Sequence, residues 1–77
     1  MSIEEFIRVF ADQFDETDFE EFKPETYFRT DLDEWSSLTG LAVLNIIKKE
    51  YGVNIIPTEF KSADTIESLY NLVVSKM

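Results

Sequence analysis

Residues 36–52 read SSLTGLAVLNIIKKEYG and form the most informative helical segment of the chain. Ser36 suits the cap position before a helix, because its hydroxyl can accept a hydrogen bond from a free backbone N–H of the first turn. Gly52 suits the end, because glycine readily takes the left-handed conformation that follows a helix. The sequence therefore predicts a helix from Ser37 to Tyr51.

The two faces of this helix differ in character. At about 100° per residue, the face expected to pack in the core consists of Gly40, Val43, Leu44, Ile47 and Tyr51. The opposite face should be hydrated, yet it mixes leucines with polar residues: Leu38, Leu41, Ala42, Asn45, Lys48 and Lys49. Either the preceding loop covers the two leucines or they dock a partner, since exposed apolar groups rimmed by polar ones mark such sites. The pattern favours docking and leaves both readings open.

Two further segments repeat apolar residues at helical spacing, and both stripes are predicted to lie in the core. The first follows a capping box of Ser2 with Glu5, and its stripe is Ile3, Phe6, Ile7, Phe10 and Phe14. The last is expected to be capped by Asp64 with Glu67, and its stripe is Ile66, Leu69, Tyr70, Val73 and Met77.

Residues 15–35 show no helical period and are predicted to form a long loop pinned by apolar anchors. The anchors are Phe19, Phe22, Tyr27, Phe28, Leu32 and Trp35. Residues 53–56 are too few to pair alone as a sheet, and Pro57 suits the first position of a short helix that ends near Ser62. The predicted fold is all-α, with residues 1–77 in one domain: an irregular four-helix bundle of three main helices, one short helix and a long first loop.

The composition excludes several classes of site. The 77 residues include no cysteine and no histidine, which rules out disulfide frameworks, zinc fingers, cysteine proteases and Ser-His-Asp triads. A calcium loop starting at Asp31 fails on spacing, because Ser36 and Ala42 stand where glycine and glutamate are required. We therefore expect no metal site, solvated loop acids and, given so small a core, a protein that is not an enzyme.

The net charge of −9 resides entirely in residues 1–35, whereas residues 36–77 sum to zero. Such a field repels nucleic acids and anionic membranes; it either steers basic protein partners or only maintains solubility. The acidic start MSIEEF lacks the basic region of a signal peptide, and the apolar runs are too short to span a membrane. We expect a cytoplasmic monomer that binds neither nucleic acid nor membrane.

Ser37 occupies an unusual place for a hydroxyl. As the first helical residue it would be exposed at the positive end of the helix dipole, a position that favours a bound or attached phosphate. On these residues alone, helix capping is the more frequent meaning of a Ser-Ser pair.

From about residue 3 to residue 76 the chain resembles the acyl carrier protein family. The resemblance is carried by residues 24–32 (PETYFRTDL), Ser37-Leu38, residues 50–53 (EYGV) and residues 55–57 (IIP). The family pattern is P-E-(A/T)-x-F-x-x-D-L, then D-S-L opening a helix, then E-(F/Y)-G-(I/V) and an I-x-I-P-like stretch. No gap is needed between Ser36 and Gly52.

The resemblance implies a bundle that carries 4′-phosphopantetheine on Ser37, transferred from coenzyme A by a separate phosphopantetheinyl transferase, with Ser36 capping the helix beside it. The thiol of that arm would hold acyl or aminoacyl groups as thioesters. Implied partners are a loading ligase and ketosynthase or acyltransferase-type enzymes of fatty-acid-like, polyketide or related biosynthesis. The expected docking residues are Leu38, Leu41, Ala42, Asn45, Lys48, Lys49, Asp31, Asp33 and Glu34. Gly40 would either leave space near the arm or allow a close helix contact.

The chain departs from the family at the attachment site and on the docking face. Ser36 replaces the family's aspartate, and the docking positions, acidic in fatty-acid carriers, read Thr39, Ala42, Lys48 and Lys49. Trp35 is similar to the tryptophan before the serine motif of D-alanyl and other aminoacyl carriers, so a dedicated carrier of a specialised pathway is expected. The alternative is an unmodified, carrier-shaped acidic scaffold module.

Overall fold

The computed structural model describes residues 2–77. Over this range the chain forms five α-helices and one 3₁₀ turn: α1 (Ile3–Ala11), the turn (Phe19–Glu21), α2 (Phe28–Asp31), α3 (Ser37–Tyr51), α4 (Pro57–Ser62) and α5 (Ile66–Ser75). Helix α1 packs against α3 and α5. The predicted all-α bundle is confirmed, whereas the one-turn helix α2 inside the long loop was not predicted. Among these helices none is long and apolar enough to cross a membrane.

Helix α3 has the predicted bounds, and both of its ends are formed by the expected residues. The N–H of Thr39 donates to Ser36 Oγ at 3.3 Å, so Ser36 is the cap. Gly52 follows the helix with φ of 67°, and its N–H donates to the carbonyl of Lys48 at 2.9 Å. A residue with a Cβ would be strained in this conformation, which explains the glycine.

The cap of α5 differs from the prediction. Helix α5 begins at Ile66, so its cap is Thr65, whose Oγ1 accepts from the N–H of Ser68 at 3.1 Å. The proposal of Asp64 was wrong because a cap must directly precede the first helical residue, and Asp64 lies one residue too early. Its carboxylate instead lies 3.9 Å from Arg29. At α1 the predicted start is confirmed, with the N–H of Glu5 donating to Ser2 Oγ at 3.2 Å.

The long connection between α1 and α3 is tied to the start of α5. In the first turn of α5, the N–H of Ile66 donates to the carbonyl of Thr26 at 3.1 Å, and the N–H of Glu67 donates to the carbonyl of Pro24 at 2.9 Å. Such groups have no partner inside their own helix. The connection therefore supplies the acceptors that α5 lacks.

Most, but not all, of the predicted core residues are buried. On α3, Gly40, Val43 and Ile47 are buried, while Leu44 and Tyr51 are half-buried. Three predictions of burial were wrong: Phe19, Tyr27 and Met77 are exposed. Phe19 lies at the start of the 3₁₀ turn, and Phe22, directly after the turn, takes the core position. Tyr27 directly precedes the inward Phe28, and Met77 lies beyond the last residue of α5.

We predict that Ile47→Ala lowers the free energy of unfolding by about 2–5 kcal/mol, because it empties a fully buried site. Leu41→Ala, on the exposed face of the same helix, should change it by no more than about 0.5 kcal/mol. Urea denaturation at 25 °C measures both. If Ile47→Ala is too unstable to fold, Ile47→Val should still lose about 0.5–1.5 kcal/mol; a neutral Ile47→Val would contradict the assignment of this face.

Candidate functional site

Ser37 presents its side chain to solvent at the start of α3. The capping role belongs to Ser36, whose Oγ also lies 3.1 Å from Thr39 Oγ1. Thr39 Oγ1 in turn donates to the carbonyl of Glu34 at 3.0 Å, which ties the first turn of α3 to the loop before it. Because its neighbour performs the capping, the hydroxyl of Ser37 is exposed at the positive end of the dipole of a 15-residue helix.

Leu38 and Leu41, which we call the leucine surface, lie directly beside Ser37. Their exposed fractions are 79% and 58%, so the reading in which the preceding loop covers them is wrong. Farther along the same face Asn45, Lys48 and Lys49 are exposed and Ala42 is half-buried. The face of α3 thus runs from apolar at its start to basic at its end.

A mainly apolar groove of about 650 Å³ opens beside Ser37 along α3 and α4. The α3 side contributes Ser37, Gly40, Leu41 and Leu44, and α4 contributes Pro57, Phe60 and Lys61, while Arg29, Trp35 and Ser36 complete the lining. Several of these residues were expected at the site from the sequence, but the short α4 was not predicted to form a wall of it.

Arg29 holds α4 in place at one side of the groove. Its guanidinium donates to the carbonyls of Phe60 and Ala63, both at 2.6 Å, at the end of α4. The same group lies over the rings of Phe28 and Phe60, 4.7 and 4.9 Å from their centroids. Hydrogen bonds from a charged donor are strong, and stacking on two rings adds to them. This role was missed, because sequence spacing does not reveal a contact between residues more than 30 apart.

Gly40 makes a close contact rather than leaving space. A Cβ placed on Gly40 would lie 3.2 Å from Cζ2 of Trp35 and 3.8 Å from Cε2 of Phe60. The expected close contact is therefore present. It is made with the indole of Trp35, in the loop before α3, as well as with Phe60 of helix α4. Glycine is needed here because the ring occupies the space of a side chain.

Glu34 anchors the loop that precedes α3. Its carboxylate accepts from the N–H of Asp15 at 3.2 Å, from the N–H of Glu16 at 2.8 Å and from the hydroxyl of Thr17. The expectation that Glu34 is simply solvated was wrong: the residue is half-buried and joins the two ends of the long connection. The hydrogen bond from Thr17 is the main reason that the pKa of Glu34 lies below its usual value; the backbone bonds act in the same direction and desolvation opposes them.

The other loop acids, Asp31 and Asp33, are exposed. Asp31 accepts from the N–H of Tyr27 at 2.9 Å and so supports the start of α2. With Glu34 they line an acidic hollow of about 320 Å³ that shares no residue with the groove beside Ser37. Within residues 2–77, no cluster of three or more acidic side chains is arranged to hold a metal ion. The docking residues expected from the sequence thus lie in two places, on α3 and at this hollow.

Comparisons with protein-family models, with curated proteins and with solved structures found no match. A functional assignment therefore depends on the residues and the geometry of this chain. The features that bear on it are the exposed hydroxyl of Ser37, the groove beside it and the leucine surface.

We predict that Glu34→Gln lowers the melting temperature at pH 7, because the amide accepts hydrogen bonds more weakly than the carboxylate. Since the pKa of Glu34 is lowered in the folded state, its contribution is present above the unfolded pKa, about 4.3, and is lost as the pH falls through the folded value. Thermal melts from pH 7 down to pH 3 should therefore show the wild-type advantage disappearing below about pH 4.3.

Asp33→Asn is the matched control, because it removes the same charge from an exposed neighbour. It should leave the melting temperature nearly unchanged at pH 7. An equal loss in both variants would mean that net charge, rather than the anchoring bonds of Glu34, sets the stability.

Proposed function

We propose that this protein is a carrier of the acyl carrier type, with 4′-phosphopantetheine attached to Ser37. The observation that carries the proposal is the exposed hydroxyl of Ser37 at the first position of α3, freed from capping by Ser36. An incoming enzyme can reach this oxygen without unfolding the helix. The family pattern in the sequence supports the same residue.

The surroundings of Ser37 suit the phosphate of such an arm. The N-terminal end of a helix favours negative charge, and free N–H groups of the first turn can donate to it. Two cationic side chains, Arg29 and Lys61, line the groove beside Ser37. The apolar part of the groove, formed by Leu41, Leu44 and Phe60, suits the less polar parts of an attached group.

When attached, the arm supplies a thiol that carries acyl groups as thioesters. The chain's own residues have structural roles. Ser37 is the point of attachment, Ser36 caps the helix, and Trp35 and Phe60 line the groove. Catalysis belongs to partner enzymes, and the carrier itself is not an enzyme. Tethering raises the effective concentration of the cargo, so weak docking to each partner is sufficient.

The partners we propose are a phosphopantetheinyl transferase, a ligase that loads an acyl or aminoacyl group, and enzymes of the ketosynthase or acyltransferase type. The leucine surface supplies an apolar contact next to the arm, and Lys48 and Lys49 give the far end of α3 a positive charge. Partners that depend on a basic patch to grip α3 should therefore bind poorly. This charge pattern supports a carrier dedicated to a specialised pathway.

We predict that incubation with coenzyme A and a broad-specificity transferase adds the mass of one phosphopantetheine to the protein. Ser37→Ala should abolish the gain, and intact mass spectrometry measures it. Ser36→Asp is the matched variant: it keeps a capping side chain and adds a negative charge beside the site, so modification should proceed at least as fast as in the wild type. A gain that survives in Ser37→Ala would contradict the proposal.

A second candidate is the unmodified scaffold module. It is favoured by one observation: the leucine surface is exposed, as a docking contact requires. The mass measurement separates the two, because the scaffold gains nothing from coenzyme A.

We predict that Leu41→Ala lowers kcat/KM of the transferase for this carrier about 10-fold, which corresponds to the loss of one apolar contact at a docking surface. The melting temperature should stay unchanged, because Leu41 is exposed. Val74→Ala, which shortens another exposed apolar residue, on α5, is the control and should leave kcat/KM unaltered. Equal effects of both substitutions would show that α3 is not the docking face.

A further inference from the structure

The groove beside Ser37 is closed on its inner side by two aromatic rings. Gly40 lies one turn after Ser37 on the buried side of α3, and only 3.2 Å separates its missing Cβ from the indole of Trp35. On the α4 side, the ring of Phe60 closes the same space, with its centroid 6.0 Å from that of Trp35. A chain passing from the groove into the core at this point would have to displace an aromatic ring.

Trp35 is fixed by rings from three parts of the fold. Its centroid lies 5.0 Å from Phe28 of α2, 6.3 Å from Phe14 after α1 and 6.0 Å from Phe60 of α4. Rings at these separations attract one another beyond the burial of their area. Rotating the indole out of the way would break all of these contacts together.

Helix α4 is also prevented from swinging outward. Arg29 donates to the carbonyls of Phe60 and Ala63, and its guanidinium lies over the rings of Phe28 and Phe60. Lys76 adds a second tie from the end of α5, with its Nζ 2.8 Å from Oε2 of Glu59. Moving α4 away from α3 to bury a cargo would therefore require these interactions to break.

We infer, on the basis of the proposed function, that Trp35 acts as a plug that closes the bundle beneath Ser37, and that this carrier transports short acyl or aminoacyl groups rather than long alkyl chains. A long alkyl chain left in an open groove stays largely hydrated, which is unfavourable in proportion to its apolar area. A short or polar cargo needs no shelter. Trp35 is thus a specificity-determining residue that acts by exclusion.

The test compares two cargoes on the full chain, a butanoyl and a dodecanoyl group, loaded through the transferase from the corresponding acyl-coenzyme A and verified by intact mass. Burial of a long chain in the folded state would raise the melting temperature, as any ligand of the native state does. For the wild type we expect the two loaded forms to melt within about 3 °C of each other. A dodecanoyl form that melts higher by more than this overturns the inference.

Trp35→Leu should remove the plug while keeping an apolar residue. In this variant the dodecanoyl form should melt above the butanoyl form by about 5 °C or more. Phe19→Leu, which shortens an exposed aromatic residue away from the site, is the control and should behave like the wild type. If Trp35→Leu shows no dependence on cargo length, Trp35 is not the plug and the inference fails.

A measurement on the unmodified chain separates this inference from the proposed function. Benzene enters apolar cavities left by the removal of large side chains, so it should raise the melting temperature of Trp35→Ala, or of Trp35→Leu if the alanine variant does not fold, and leave the wild type unchanged. Absence of any mass gain would refute attachment at Ser37 while the benzene comparison still tests the plug. Equal benzene effects on the variants and the wild type would overturn the plug even in a fully modified protein.

Discussion

The arrangement of the site depends on the packing of the Phe28 ring. Phe28 is fully buried, and its ring lies 5.6 Å from Phe10 of α1, 5.0 Å from Trp35 and 5.8 Å from Phe60 of α4. A chain of 77 residues buries little surface on folding, so large rings that serve several elements at once are efficient. Through Trp35, two residues before Ser37, this ring also holds the loop that leads into α3, and so helps to position the proposed attachment oxygen.

The uneven charge of the chain has a structural explanation in part. Glu34 and Asp31 use their carboxylates to accept hydrogen bonds from backbone N–H groups of the long connection. The acidic hollow that they line is separate from the groove at Ser37, and the exposed face of α3 carries lysines at its far end. A partner that approaches α3 thus meets leucines and lysines, while the acids lie on another part of the surface.

The helices and their ends were largely predictable because they depend on local chemistry. Ser36, Gly52 and Pro57 act on their own or the adjacent turn, and the α3 and α4 bounds follow from them. The burial of Val43 and Ile47 follows from helical periodicity in the same way. Exposure of Leu38 and Leu41 was foreseen as one of two readings, and the structure selects it.

The remaining features depend on contacts between distant residues, which a single sequence does not encode in any local pattern. Arg29 bonds to carbonyls at residues 60 and 63, and Glu34 bonds to residues 15–17. Phe19 and Tyr27 are aromatic and were therefore expected to anchor the loop in the core. In the structure the next aromatic residues along the chain, Phe22 and Phe28, occupy the core instead. The plug formed by Trp35 over Gly40 likewise required the position of α4.

The central claim is that the hydroxyl of Ser37 carries a phosphopantetheine arm in the cell. The most direct measurement is the intact mass of the protein purified from its own host after ordinary growth, followed by fragmentation to locate any added group. We predict a population heavier than the bare chain by one such arm, with the addition on residue 37. A bare chain alone, or an arm on any other residue, would contradict it.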